Sequence, residues 1–244
     1  MTCLGEVVKH FPHAVGYLFV RETFSKEGKR DVQNMVQSLK DAFQRNLDDL
    51  QWMDAESKVA AIRKLKAMRF KVGYPDYYDN DNERFTELHD FYVNRNDYYG
   101  NVEKSIKSKV RQSINRLRLP YREDEWQESP QGTRAYYSLQ TNEIVFPAGI
   151  LQNPLYSISN PPAVNFGALG SILGHEIIHA FDQVGAGYND NGVKDIWWST
   201  DTKNAFNRES QCIIDSYVSY LNQTRQTRVT KLTNPLSNLL KEKM

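Results

Sequence analysis

The chain has 244 residues, 40% of them hydrophobic, and a formal charge of +1 from 31 Lys and Arg against 30 Asp and Glu. That length suits one large domain or two smaller ones, the balanced charge gives no global field toward nucleic acid, and no apolar run is long enough to cross a membrane. The opening MTCLGEVVKHFPHAVGYLFV lacks a basic leading region and carries Glu6, Lys9 and His10 where an apolar stretch would lie, so it does not read as a signal peptide.

From Asp31 to Leu50, apolar residues fall at Val32, Met35, Val36, Leu39, Phe43, Leu47 and Leu50, which is helical spacing. A second helix follows, capped by Asp54, with a stripe of Val59, Ile62, Leu65 and Met68 and an end at Gly73-Tyr74-Pro75. The Lys and Arg of both helices interleave with acids and read as solvated faces. Residues Asp76 to Asn82 form a polar breaker before a charged helical connector that runs to Leu119. Its Lys104, Lys107, Lys109 and Arg111 come without a nucleic-acid motif and also read as solvated.

After Pro130 the period changes. Arg134 to Leu139 and Glu143 to Phe146 predict a hairpin closed by Pro147 and Gly149, with a strand able to pair with an extended peptide. A helix is predicted from Asn165 to Phe181, where Gly167, Gly170 and Gly174 allow close backbone approach, and a turn from Asn189 to Gly192. Cys3 and Cys212 could bridge each other, pair with segments outside the chain, or stay reduced. Asn222-Gln223-Thr224 is a glycosylation sequon.

The predicted helix contains His175-Glu176-Ile177-Ile178-His179. Two His at i and i+4 share one helix face and can hold one Zn²⁺, while the Glu between them reaches water at the metal. The same residues could be ordinary histidines on an amphipathic helix, but the apolar helical setting favours the metal. His175 and His179 are the candidate ligands and Glu176 the candidate base, which takes a proton from water and passes it to the leaving amine. Two imidazoles hold zinc weakly, so a third protein ligand must come from elsewhere. Glu209 and Glu242 are candidates by residue type, though both read as solvated helix or tail positions.

AVGYLFVRETF (14–24), LDDLQWMD (47–54), AYYS (135–138), NEIVFPAGIL (142–151), GHEIIHAFD (174–182) and Trp197-Trp198 together resemble the neprilysin and endothelin-converting enzyme family of zinc metallopeptidases. The resemblance implies a mainly helical α+β chain. Residues 1–80 would be the end of a helical N-terminal domain and 81–133 a helical connector. Residues 134–233 would be an incomplete, thermolysin-like zincin domain with a small hairpin or sheet, and 234–244 a tail unlike the family. It implies a zinc endopeptidase of short peptides, at the plasma membrane as a type II protein or secreted. The family's third ligand lies in a GENIAD-like motif, and Asn234-Pro235-Leu236-Ser237-Asn238 stands where that motif is expected, which reads as a truncation that impairs the site. The family's Asn-Ala substrate clamp is Arg134-Ala135 here, so Ala135 carries over while Arg134 replaces a group that donates and accepts with a cation that only donates. Asp182 matches the family's FD and either supports the zinc histidine or caps the helix end. Cys3 and Cys212 match family cysteines whose partners lie outside this chain. The alternatives are a non-catalytic peptide-binding or decoy protein and an unstable truncated isoform.

Overall fold

The computed structural model describes residues 3–80, 86–88, 90–119 and 122–225. Its helices are α1 (Cys3–His10), α2 (Pro12–Thr23), α3 (Lys26–Asp49), α4 (Ala55–Ala67), α5 (Tyr77–Asn80), α6 (Tyr98–Arg116), α7 (Pro162–Ile178) and α8 (Thr200–Arg225). Three strands, β1 (Arg69–Gly73), β2 (Tyr136–Ser138) and β3 (Glu143–Pro147), form one sheet in the order β1-β3-β2. A mainly helical α+β chain with a small sheet is therefore what the residues build. They divide into two compact units, one within Met1–Asn34, Phe70–Ala135 and Val145–Leu169, the other within Met35–Arg69, Tyr136–Ile144 and Gly170–Met244.

The hairpin of β2 and β3 is present where alternation predicts it. Every residue of β3 is buried, as a central strand requires, and β2 lies at an edge. The strand β1 was not expected: its RFKVG sequence reads as the end of a helix. Backbone pairing decides otherwise, with Arg69 N–H donating to Asn142 O at 3.0 Å where β1 begins and Ala148 N–H to Gly73 O at 2.8 Å where it ends. Those two bonds set β1 parallel to β3.

In the first unit, α3 starts five residues earlier than its apolar stripe indicates, because the Ser25 hydroxyl accepts from Gly28 N–H at 3.0 Å and caps it. Phe24, Tyr74 and Tyr156 pack edge to face, and Gly73 adopts φ +76 where an added Cβ would meet the Phe24 ring at 2.5 Å. Lys29 is buried and donates to Tyr74 O at 2.7 Å and Asp76 Oδ1 at 2.6 Å.

In the second unit, Asp54 caps α4 as expected, accepting from Ser57 N–H at 2.8 Å. The same carboxylate accepts from the Ser199 hydroxyl and, at 2.6 Å, from Thr202 Oγ1, so one group fastens the start of α4 to the start of α8. These bonds, the Ser199 hydroxyl first, then Ser57 N–H and Thr202, hold the Asp54 carboxyl well below its ordinary range. Of the stripe expected on α4 and its end, Leu65 and Met68 are buried, but its first position is not. Val59 is 68% exposed, and the buried positions are Ser57, Ala61, Lys64 and Leu65. One Lys read as solvated is thus at 1% exposure in the core.

Candidate metal centre

The predicted helix is present as α7, starting at Pro162 and ending at Ile178 rather than at Phe181. His179 begins the turn that follows, still tied to the helix by its N–H to His175 O at 3.3 Å. The early ending has a side-chain cause. Asp182 Oδ1 accepts from Val184 N–H at 2.9 Å and Gly185 N–H at 2.7 Å, folding the chain into a short 3₁₀ turn over Gly185–Gly187. Gly185 is required there, since a Cβ would lie 1.9 Å from His179 O.

His175, Glu176 and His179 offer ligand atoms that all lie within 4.8 Å of one another, the only such group of His, Cys, Asp or Glu among the described residues. Glu176 is buried, His175 exposed and His179 in between. The two histidine rings meet edge to face, with Nε2 to Nε2 at 3.0 Å. Two nitrogens bound at about 2.0–2.1 Å to one tetrahedral zinc ion stand roughly 3.3 Å apart, so the pair fits zinc within a few tenths of an ångström. The described residues supply two imidazoles and a carboxylate in this way; no further ligand joins them there.

Asp182 Oδ2 lies 2.9 Å from His179 Nδ1. A carboxylate can only accept, so His179 presents an N–H at Nδ1, and in the neutral ring that leaves Nε2 bare toward His175. That assignment follows from the network of partners. The Asp182 hydrogen bond also raises the His179 pKa, whereas burial and the neighbouring His179 lower that of His175. For Asp182 itself, burial pushes the carboxyl up, but the bonds from His179, Gly185 and Val184 outweigh it and leave it below its usual value. One Asp182 oxygen thus contacts His179 and the other holds the N–H groups that open the 3₁₀ turn, so its carboxylate does not cap the carbonyl end of α7.

Arg134 is exposed and Ala135 half-buried; both precede β2 in the chain and lie within the residues of the first unit. Glu209 is exposed on α8 and Glu242 lies outside the described residues. The Asn222 side chain is likewise outside them. Cys3 and Cys212 are exposed free thiols, which removes the possibility that they bridge each other. The residue that sequence reasoning missed is Lys64, whose ammonium reaches the turn behind His179. Its signal was in phase with Ala61, Leu65 and Met68, a stripe hidden by the larger Val59 and Ile62.

A helix presenting two imidazoles and a buried carboxylate in HExxH order, in a mainly helical chain with a small sheet, is the arrangement of the zinc metallopeptidase class. Residues 1–75 and 134–236 each match Peptidase family M13. An endothelin-converting enzyme homolog of Locusta migratoria is 37% identical over 218 residues, 89% of this chain and 30% of that protein. Neprilysin of Oryctolagus cuniculus is 35% identical over 219 residues, 89% of this chain and 29% of its own length. Among solved structures, the open state of the Mycobacterium tuberculosis zinc metalloprotease ZMP1 superposes with a TM-score of 0.75 at 33% identity, covering 86% of this chain and 32% of that one. The chain belongs to Peptidase family M13. It spans about 30% of the length of the curated relatives it matches.

Proposed function

We propose that this chain carries the metal-holding core of a zinc endopeptidase for short peptides, with His175 and His179 as ligands and Glu176 as general base. The observation that most supports this is the 3.0 Å approach of the two Nε2 atoms with the Glu176 carboxylate beside them. Zinc held there supplies Lewis acidity, acidifying water and polarising the scissile carbonyl. Glu176 takes the proton from water and delivers it to the departing amine, so no covalent intermediate with the protein is needed. Asp182 keeps the His179 lone pair directed outward. The edge strand β2 takes an extended peptide backbone by strand addition, with Arg134 and Ala135, which precede it in the chain, as substrate contacts. Residues 134–233 form the catalytic domain in this reading, and the chain acts at the plasma membrane or outside the cell. No helix among the described residues is long and apolar enough to cross a membrane.

A second reading, peptide binding without cleavage, is favoured by one observation: with Glu176 kept as base, the described residues bring no ligand to the two imidazoles, and a two-imidazole site holds zinc weakly. Hydrolysis of a quenched peptide by the zinc-loaded 244-residue chain, with and without chelator, separates the two. Chelator-sensitive turnover supports the enzyme; saturable peptide binding with no turnover supports the second reading.

A further inference from the structure

Lys64 donates to three backbone carbonyls and, among the described residues, to no carboxylate: Ala180 O at 2.7 Å, Gly185 O at 2.7 Å and Tyr188 O at 2.6 Å. Three acceptors match the three N–H groups of an ammonium, so the buried charge is saturated. Phe181 and Trp197 place their rings 5.8 and 5.7 Å from the same nitrogen. Burial lowers the Lys64 pKa to about 8, against the pull of Asp182 and Asp190, so the group is charged at neutral pH.

The three carbonyls are not scattered. Ala180 follows His179 directly, and Gly185 gives its carbonyl to Lys64 and its N–H to Asp182 Oδ1. Tyr188 closes the stretch. One ammonium therefore fixes both ends and the middle of the loop that carries Asp182, and Asp182 fixes the Nδ1–H of His179. Lys64 is itself held: its own carbonyl accepts from Asn142 Nδ2 at 3.1 Å, and that side chain also donates to Asp190 O at 3.2 Å.

We propose that Lys64 is a positioning residue for metal binding, setting the orientation and tautomer of His179 through the 180–188 loop and Asp182. The inference rests on the zinc reading of His175 and His179. Groups behind a metal-bound histidine tune both ring orientation and affinity, and their loss weakens metal binding by about 10- to 100-fold. The bland alternative is that Lys64 is a staple of the core with no influence on the histidine.

The test compares the 244-residue chain with Lys64→Met, which keeps length and volume but has no donor, and Lys64→Gln, which keeps two N–H groups. In metal-free protein, ¹⁵N–¹H NMR of the imidazoles should show His179 as a single Nδ1–H tautomer with a slowly exchanging proton. In Lys64→Met that proton should exchange rapidly and the ring should populate both tautomers, with Lys64→Gln between them. Zinc affinity by chelator competition should fall by about tenfold or more in Lys64→Met. An unchanged His179 tautomer and zinc affinity in a cooperatively folded Lys64→Met protein would overturn the inference. So would loss of cooperative folding in both variants, since Lys64 would then hold the fold and not the histidine. Failure of the unmodified chain to bind zinc at all would instead remove the reading on which the inference stands.

Discussion

Lys29 and Lys64 are both buried ammonium groups on helices, one in each unit, and they differ in their partners. Lys29 divides its bonds between one carbonyl and the carboxylate of Asp76, a side chain 88% exposed, so its charge is neutralised at the rim where water still helps. Lys64 has only carbonyls, deep in the second unit. A rim ion pair contributes little because solvent screens it, whereas a buried carbonyl such as Ala180 O, deprived of its donor, loses a hydrogen bond that water does not readily replace. The first lysine closes a surface; the second orders a loop behind a candidate metal ligand.

The largest expected effect lies at the site itself. Glu176→Gln keeps the shape and removes the base, so any chelator-sensitive peptide hydrolysis should fall by at least about 100-fold while zinc affinity changes little. Steady-state turnover beside a zinc titration checks this, and full activity in the variant would assign the proton transfer elsewhere.

Next comes the group between Lys64 and the histidine. Asp182→Asn replaces a partner that can only accept, so zinc affinity should drop by about 10- to 100-fold. The sign of the pH effect follows from the raised His179 pKa: the carboxylate stabilises the protonated ring, so in metal-free protein His179 should titrate at lower pH in the variant, as histidine Cε1–H NMR shifts would show. A His179 that titrates as before would mean that the Asp182 contact is absent in solution.

The lysine comparison can be sharpened by paired variants. Lys64→Met should cost about 2–4 kcal/mol in chemical denaturation, since Ala180 O and Tyr188 O lose their donor while Gly185 O keeps only the Tyr188 N–H, and Lys29→Met about 1 kcal/mol. Equal costs would show that the carbonyl cradle has no special weight.

Much of this was legible in the chain and some was not, for physical reasons. HEIIH declares its chemistry because i, i+4 spacing fixes two rings on one face whatever surrounds the helix, and Asp54 declares its cap because capping is local. The strand β1 could not be read from Arg69-Phe70-Lys71-Val72-Gly73, since its partner β3 lies some seventy residues on and only pairing makes it extended. Lys64 was hidden for a related reason: a lysine enters a core only when distant carbonyls, here around residues 180–188, are waiting for it. Arg134 and Ala135 were named by resemblance alone, and their place just before β2 does not say what they touch.

The smallest effect concerns acid stability. The folded-state pKa of Asp54 is depressed, so its contribution is present above the unfolded carboxylate pKa of about 3.9 and is lost as pH falls below that value. Asp54→Asn should lower the melting temperature at pH 6 and flatten its decline between pH 5 and 2. An equally steep decline in the variant would place the acid-sensitive group elsewhere.

Zinc titration with chelator competition on the 244-residue chain, His175→Ala and His179→Ala reaches the central claim most directly. The expected result is one zinc per chain in the unmodified protein, held more weakly than by a three-ligand site, and loss of that binding when either histidine is removed. Binding of the same stoichiometry and affinity in both histidine variants would contradict it.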